Sequence, residues 1–233
     1  MIKFISHRGN DIGINYPENS KEAILEVLKR DYISGVEFDV RMTKDKKIVV
    51  VHDNTIALSS NGNGLISKTK LKQLESYNFG TITNPLKIAT LEEVLFNINS
   101  DKEIIIEIKE ESIRYKKVAN VIYNIIKKYK DLNIKVCSFN YELIKYFKRK
   151  YPNVETGLLI GIKKNLDKEN INFDFYSVSI INYKKYIDYD DLYIWTINEK
   201  AIFDDINKVI TKDFSVISDV CKNLVTKGDV KNV

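Results

Sequence analysis

The sequence predicts an α/β protein folded as a (β/α)8 TIM barrel, with an insertion after the second strand. Three observations favour this fold. The chain has 233 residues, close to the roughly 250 of a typical barrel of this kind. Short apolar runs alternate with amphipathic stretches along the chain, and eight such runs are present, which is the number that closes a barrel. A single domain spanning 1–233 is therefore expected, and an open, doubly wound sheet is the alternative.

The candidate strands are short runs rich in Ile, Val and Phe, each followed by polar residues. They lie at Lys3–Ser6, Val36–Arg41, Glu103–Ile108, Lys135–Ser138, Glu155–Ile160, Phe175–Ser179, Leu192–Thr196 and Ser215–Ser218.

Two helix starts carry capping signals. Asn19 with Glu22 and Thr90 with Glu93 have the spacing in which two side chains satisfy free backbone N–H groups of the first turn. Apolar residues at helical spacing then predict one buried face in each of two helices. These residues are Ala23, Ile24, Val27 and Leu28 in the first helix, and Val118, Val121, Ile122, Ile125 and Ile126 in a later one.

The regular alternation breaks once, in the second βα connection. Thr43–Lys47 predicts a turn leading to a second extended arm at Ile48–His52, and the Asn/Gly run at 61–64 predicts a loop. The apolar anchors in this region are Leu71, Leu74 and Tyr77. We therefore expect a lid or small subdomain at about 54–88 rather than a linker.

Composition narrows the class of protein. An apolar content of 44% supports a packed core. The net charge of +5 comes from scattered lysines, so it gives no indication of nucleic-acid binding; it suits an anionic substrate, although general solubility explains it better. Cys137 and Cys221 are expected to be reduced, buried thiols. Neither a signal-peptide core nor a transmembrane segment is apparent, so we expect a cytoplasmic protein.

The two histidines each follow an apolar run. His7 ends the run that begins at Phe4, and His52 follows Val49-Val50-Val51. A lone histidine is more often structural, but barrel enzymes place their active sites at the carboxyl ends of the strands. Both histidines are therefore candidates for catalysis.

Three acidic residues lie on predicted strands. Glu37 and Asp39 are two residues apart and must point to the same face, as must Glu107 and Lys109. Acids that face the barrel interior are costly to bury unless they are paired or bind a cation, and oxygen ligands favour Mg²⁺ or Ca²⁺. The alternative is an outward, solvated face or ion pairs with Lys109 and Arg8.

These residues lie in motifs that resemble those of the glycerophosphodiester phosphodiesterase family, in the same order along most of the chain. The matching motifs are His7-Arg8-Gly9, Pro17-Glu18-Asn19-Ser20, Gly35-Val36-Glu37-Phe38-Asp39-Val40, Val51-His52-Asp53, Thr90-Leu91-Glu92-Glu93-Val94-Leu95, Ile106-Glu107-Ile108-Lys109, Ser138-Phe139, Gly157-Leu158-Leu159 and Trp195-Thr196-Ile197-Asn198. The resemblance extends to the TIM barrels of phosphatidylinositol phosphodiesterases.

The resemblance implies a role for each candidate residue. Glu37, Asp39 and Glu107 would bind a divalent metal ion, Mg²⁺ or Ca²⁺. His7 and His52 would form the acid/base pair, and Arg8 and Lys109 would hold the phosphate. Trp195 is a candidate wall against the substrate, although filling the barrel interior is nearly as good an interpretation.

The implied reaction is hydrolysis of a small-molecule glycerophosphodiester to glycerol 3-phosphate and an alcohol. Two alternatives remain: a lysophospholipid or polymeric glycerophosphate as substrate, and a catalytically silent binding barrel. The chain departs from the family pattern at three places, none of which is a predicted histidine or metal ligand. Ser59-Ser60 replaces a common arginine, Ala89 a usual proline, and Ser218-Asp219-Val220-Cys221 the usual Thr-Asp-x-Pro.

Overall fold

The computed structural model describes residues 2–110, 112–161, 172–210 and 213–225. It contains all eight predicted strands, with ends shifted by a residue or so, and one extra short strand in the insertion. The strands are β1 (Ile2–His7), β2 (Gly35–Met42), β3 (Ile48–Val50), β4 (Glu103–Ile108), β5 (Ile134–Ser138), β6 (Glu155–Ile160), β7 (Phe175–Ser179), β8 (Leu192–Trp195) and β9 (Phe214–Ser218).

Eight parallel strands close into a barrel. Strand β1 pairs in parallel with both β2 and β9, and the other barrel strands follow one another in chain order. This closure confirms the predicted barrel and excludes the open, doubly wound sheet. Strand β3 pairs antiparallel with the end of β2, with Val40 opposite Val50, and forms the extended arm expected after the second barrel strand.

Helices cover the outside of the barrel, except for the short one at Leu71–Leu74, which belongs to the insertion. They are α1 (Lys21–Val27), α2 (Leu71–Leu74), α3 (Leu91–Asn97), α4 (Tyr115–Ile126), α5 (Tyr141–Lys150), α6 (Lys200–Val209) and α7 (Cys221–Leu224), with 3₁₀ turns at Ile56–Leu58, Ile66–Lys68 and Tyr183–Lys185. The predicted apolar faces of α1 and α4 pack against the sheet, as expected. Within the described ranges, every helix is too short or too polar to cross a membrane.

One predicted helix cap is confirmed and the other is wrong. The hydroxyl of Thr90 accepts the Glu93 N–H at 3.2 Å, and the Glu93 carboxylate accepts the Thr90 N–H at 2.8 Å. Helix α1 is capped by Ser20, which accepts the Ala23 N–H at 3.1 Å, and not by Asn19 with Glu22. Asn19 has a φ of +58° and lies outside the helix, where its side chain contacts β2 instead.

The barrel interior has charged side chains at both ends and an apolar layer between them. At the amino ends of the strands, Glu103 pairs with Lys3 and Lys135 and accepts a hydrogen bond from Tyr193 at 2.6 Å. An apolar layer follows, made of Ile5, Ile105, Cys137, Leu159, Phe175, Tyr193 and Ile217. Polar and charged side chains fill the carboxyl end. Both Cys137 and Cys221 are buried and unbonded to each other, as predicted.

The insertion has a small apolar core of its own. Val49 and Val51 from the arm that follows β2 pack with the buried insertion residues Ile56, Ile66, Leu74 and Ile88. Leu71 and Tyr77 pack on this cluster as well, so the three predicted anchors are confirmed. The insertion is thereby held against the rim of the barrel next to His52.

Candidate active site

The eight candidate residues meet at the carboxyl end of the barrel. A cavity of about 270 Å³ at this end is lined by seven of them: His7, Arg8, Glu37, His52, Glu107, Lys109 and Trp195. The eighth, Asp39, is fully buried beside the cavity and contacts Arg8 and Lys109.

A sharp turn places the first two residues. His7 is the last residue of β1, and the chain then turns through left-handed conformations at Arg8 (φ +56°) and Gly9 (φ +78°). A Cβ at Gly9 would lie 2.9 Å from the backbone nitrogen of Ile24, so only glycine fits between this turn and α1. The turn directs the Arg8 guanidinium towards β2.

The three acids form a compact oxygen cluster. Asp39 and Glu107 are register partners on β2 and β4, and Glu37 lies one inward position before Asp39. One carboxylate oxygen from each lies within 4.8 Å of the others. Among the described residues, Oε1 of Glu37 has neither solvent contact nor a hydrogen-bond partner. An unpartnered buried carboxylate oxygen is an acceptor suited to a cation.

Two cationic side chains partly neutralise this cluster. Nζ of Lys109 lies 2.7 Å from Oε1 of Glu107 and 3.2 Å from Oδ1 of Asp39, and Nε of Arg8 lies 3.2 Å from Oδ2 of Asp39. The ion pairs considered from the sequence are therefore present. Since they leave three carboxyl groups facing two cations, the site still has the donors and the charge to accept a hard divalent metal ion.

The pKa values of the acids reflect this imbalance. Burial, together with the charges of Asp39 and Glu107, raises the pKa of Glu37 well above its ordinary value. Burial and the nearby Asp39 raise the pKa of Glu107 to about 7. Burial opposes ionisation of Asp39 too, but Lys109, Arg8 and Asn19 hold its pKa below the ordinary value. A bound divalent cation would stabilise the ionised forms of Glu37 and Glu107.

Asn19 fixes the position of Asp39. Its Nδ2 donates to Oδ2 of Asp39 at 2.9 Å, while its Oδ1 accepts the Asp39 backbone N–H at the same distance. Sequence reasoning assigned Asn19 to a helix cap and missed this contact. The available signal was its place in the Pro17-to-Ser20 motif.

His7 is oriented by a residue that the sequence did not identify as part of the site. Nδ1 of His7 lies 2.8 Å from Oδ1 of Asp219, which follows β9, and Asn198 donates to the other oxygen of Asp219 at 2.7 Å. Burial would raise the pKa of Asp219, but the hydrogen bonds from His7, Asn198 and Asn10 hold it below its ordinary value. Because the carboxylate accepts from Nδ1, Nε2 is left free, and it lies 4.0 Å from Oε2 of Glu37.

His52 is held from both ends. Its Nδ1 lies 3.1 Å from Oδ1 of Asp53, and its carbonyl oxygen accepts from Nε of Arg41 at 2.6 Å. Arg41 also donates to the carbonyl of Lys109 at 3.2 Å, so it connects the two segments. Burial lowers the pKa of His52, although Asp39 opposes that shift.

Trp195 fits both interpretations drawn from the sequence. It packs on the apolar layer of the barrel interior, and it also lines the cavity. The rings of Trp195 and Phe139 pack edge to face, with their centroids 5.8 Å apart. Nζ of Lys109 lies 5.7 Å from the centroid of the Phe139 ring. One wall of the cavity is thus aromatic.

A second cavity, of about 240 Å³, lies between the loop after β1 and the insertion. It includes Glu18 and Ser20 on one side and Leu58, Phe79 and Lys87 on the other. His52 lines both cavities.

Comparison with known proteins identifies the family to which the chain is similar. The sequence pattern of the glycerophosphoryl diester phosphodiesterase family matches residues 7–194. A glycerophosphodiester phosphodiesterase of Caldanaerobacter subterraneus is 32% identical over 162 residues, which are 66% of this chain and 65% of the relative. One from Bacillus altitudinis is 30% identical over 166 residues, 68% of this chain and 66% of the relative. The alignments thus span slightly less than two thirds of these relatives.

Solved structures show the same barrel. A phosphodiesterase from Oleispira antarctica, solved in complex with its product sn-glycerol-3-phosphate, superimposes with a TM-score of 0.81 at 21% identity, covering 95% of this chain and 94% of that one. A glycerophosphodiester phosphodiesterase from Thermotoga maritima gives 0.71 at 26% identity, covering 96% of each. The chain therefore belongs to the glycerophosphoryl diester phosphodiesterase family.

Proposed function

We propose that residues 1–233 act as one catalytic domain that hydrolyses glycerophosphodiesters to glycerol 3-phosphate and an alcohol, with Mg²⁺ or Ca²⁺ as cofactor. The observation that supports this most is the buried cluster of Glu37, Asp39 and Glu107, which shares one end of the barrel with two histidines. Family membership makes the same reaction class the expected one.

Cleavage of a phosphodiester requires charge neutralisation and proton transfer. Glu37, Asp39 and Glu107 would hold the metal ion, which supplies Lewis-acid stabilisation of the phosphate when bound. Arg8 and Lys109 lie beside these acids and would hold the phosphate oxygens. Both cations are already oriented by ion pairs, so little rearrangement is needed when substrate enters.

The surroundings of the two histidines support different roles. The carboxylate of Asp219 orients the imidazole of His7 through Nδ1 and leaves Nε2 free to take a proton from the attacking hydroxyl. That hydroxyl would be the neighbouring one on the glycerol, which gives a cyclic phosphate that water then opens. Burial lowers the pKa of His52, so its imidazolium releases a proton more readily than an ordinary imidazolium, which suits protonation of the leaving oxygen.

The position of His52 between the two cavities suggests where each part of the substrate would bind. Since it lines both cavities, glycerol would occupy the cavity inside the barrel and the leaving alcohol the cavity beneath the insertion. The latter is small and includes the charged groups Glu18 and Lys87, which favours a compact polar head group over a lipid chain. The buried free thiols of Cys137 and Cys221 suit the reducing cytoplasm, which we propose as the location.

The test measures glycerol 3-phosphate release from glycerophosphocholine by wild-type protein and by the His7→Ala and His52→Ala variants. We expect each variant to lose roughly 10²–10⁴-fold in kcat, while thermal stabilisation by the metal ion is retained as a control for folding. Normal turnover by either variant removes that histidine from the mechanism. Wild-type activity confined to lysophospholipids or polyglycerophosphate selects the alternative substrates, and metal binding without turnover of any of them selects the binding barrel.

A further inference from the structure

The positive charge of the chain is concentrated in the segment that contains α4, β5 and α5. Residues 114–151 include eleven lysine or arginine residues and two acidic ones, which is a net charge of +9. Because the whole chain carries only +5, the remaining residues together are acidic. Apolar residues that face the sheet separate these cations along the chain, so they do not form one basic run in the sequence. The fold brings them together on the outer surface of two neighbouring helices.

Only some of these cations are neutralised by acids. Four of the eleven form ion pairs: Arg114 with Glu110, Lys128 with Glu92, Lys135 with Glu103 and Glu155, and Lys148 with Asp174. Six others are exposed and have no acidic partner among the described residues: Lys116, Lys117, Lys127, Lys130, Arg149 and Lys150. Like charges on one surface repel each other and oppose folding. An anionic partner that covers this surface would therefore stabilise it.

Tyrosine rings alternate with the cations along the seam between the two helices. Nζ of Lys150 lies 5.3 Å from the centroid of the Tyr146 ring and 5.4 Å from that of Tyr151. The ring of Tyr151 stacks on that of Tyr123 with centroids 3.7 Å apart, and Nζ of Lys127 lies 5.8 Å from the Tyr123 centroid. We call the outer surface of α4 and α5, with these cations and rings, the basic face.

Hydrogen bonds hold the rings of the basic face against the helices. The hydroxyls of Tyr146 and Tyr151 both donate to Oδ1 of Asn120, at 2.9 and 2.6 Å. Each ring is half-buried, and a neighbouring ring or ammonium group lies over it. A nucleic-acid base needs an open ring face on which to stack. The basic face therefore favours a partner that meets its ammonium groups with phosphates and does not stack on its rings.

A lipid bilayer has these properties. Anionic lipids of the cytoplasmic leaflet attract clusters of lysine and arginine, and tyrosine is enriched at the level of the lipid headgroups in membrane proteins. A bilayer is also broad enough to contact cations of both helices at once. We propose that the basic face docks this protein on an anionic lipid surface.

Docking through the basic face places the barrel cavity beside the headgroups. Lys109 and Phe139 line the cavity and lie a few residues before α4 and α5, so the basic face begins at the end of the barrel where the cavity opens. Removal of both acyl chains from a glycerophospholipid leaves a glycerophosphodiester at the same surface. The docked protein would meet its proposed substrate where a deacylation reaction releases it, although the docking itself does not depend on the proposed function.

The test is co-sedimentation of the wild-type protein with two kinds of vesicle. One kind is phosphatidylcholine alone, and the other is phosphatidylcholine and phosphatidylglycerol in equal parts. We expect binding to the anionic vesicles and none to the neutral ones. Raising the salt to about 1 M shortens the Debye length to about 3 Å, so it should release the bound protein.

A triple variant of the basic face tests the surface itself. Lys117→Gln, Lys130→Gln and Arg149→Gln together remove three exposed cations that lie outside the tyrosine contacts described above. Each lysine or arginine near an anionic bilayer strengthens binding about 5-fold, so the affinity for anionic vesicles should fall about 100-fold. The melting temperature should stay equal to that of the wild type or rise, because repulsion within the face is reduced.

A second triple variant is the matched control. Lys184→Gln, Lys185→Gln and Lys222→Gln remove the same charge from exposed lysines on the connections that follow β7 and β9, away from α4 and α5. This variant should bind anionic vesicles as the wild type does.

Wild-type binding to both kinds of vesicle alike, binding to neither, retained affinity in the basic-face variant, or an equal loss in the control variant each overturns the inference. Binding of a labelled single-stranded oligonucleotide without binding of anionic vesicles overturns it in favour of a nucleic-acid partner. None of these measurements involves turnover, so their failure is distinct from failure of the proposed function.

Discussion

Replacement of Glu107 by glutamine distinguishes two effects of the acidic cluster. One is the loss of folding stability in the metal-free protein, and the other is the binding of a metal ion. In the metal-free protein, burial and Asp39 raise the pKa of Glu107 from an ordinary 4.5 to about 7. At about 1.4 kcal/mol per pKa unit, this corresponds to about 3 kcal/mol. The folded-state pKa lies above the unfolded one, so the wild type loses this stability as the pH rises from 4.5 to about 7 and does not regain it above that range.

Glutamine does not titrate, so the Glu107→Gln variant escapes this loss. In EDTA, we expect the variant to exceed the wild type in free energy of unfolding by about 3 kcal/mol near pH 8.5, and the difference to shrink towards zero near pH 4. Saturating Mg²⁺ or Ca²⁺ should reverse the order, because the wild type gains binding free energy and the variant has lost a ligand. Urea denaturation followed by circular dichroism measures the free energy of unfolding of both proteins, at both pH values and with and without the metal ion.

Glu103 provides a matched control of opposite sign. It lies on the same strand and is as buried as Glu107, but although burial opposes its ionisation, hydrogen bonds from Lys3 and Tyr193 hold its pKa below the ordinary value. Glu103→Gln should therefore destabilise the protein near neutral pH, with or without metal. If Glu107→Gln destabilises the metal-free protein at high pH as Glu103→Gln does, the account of Glu107 as a strained, metal-binding acid is refuted.

Three further variants test individual contacts. Asp219→Asn leaves His7 without its carboxylate and should lower kcat by roughly 10²–10⁴-fold with metal binding unchanged; steady-state kinetics with unaltered kcat would contradict the role of Asp219. Asn19→Ala removes both hydrogen bonds to Asp39 and should weaken metal binding about 10–100-fold by calorimetry, and an unchanged affinity would show that Asp39 is positioned without it. Gly9→Ala forces a side chain into a φ of +78° and against α1, and should cost about 1–3 kcal/mol in urea denaturation; a neutral effect would mean that the turn relaxes.

Much of the site followed from local sequence patterns. The two-residue periodicity of strands placed Glu37 and Asp39 on one face, and the end of each apolar run placed the histidines at the rim. Strand bounds shifted by a residue or so, as expected where ladder hydrogen bonds end. The capping box at Thr90 was predicted because all of its partners lie within four residues.

The contacts that the sequence did not reveal connect distant segments. Asp219 reaches His7 only because β9 closes the barrel against β1. Asn19 has the residue type and spacing of a helix cap, but its positive φ and its contact with Asp39 depend on the packing of the β1 turn over β2.

The most direct test of the central claim is glycerol 3-phosphate release from glycerophosphocholine by the purified wild-type protein, measured side by side in EDTA, Mg²⁺ and Ca²⁺. The arrangement of Glu37, Asp39 and Glu107 predicts release with one or both cations and none in EDTA. Release that persists in EDTA, or that is absent with both cations, would contradict metal-dependent glycerophosphodiester hydrolysis at this site.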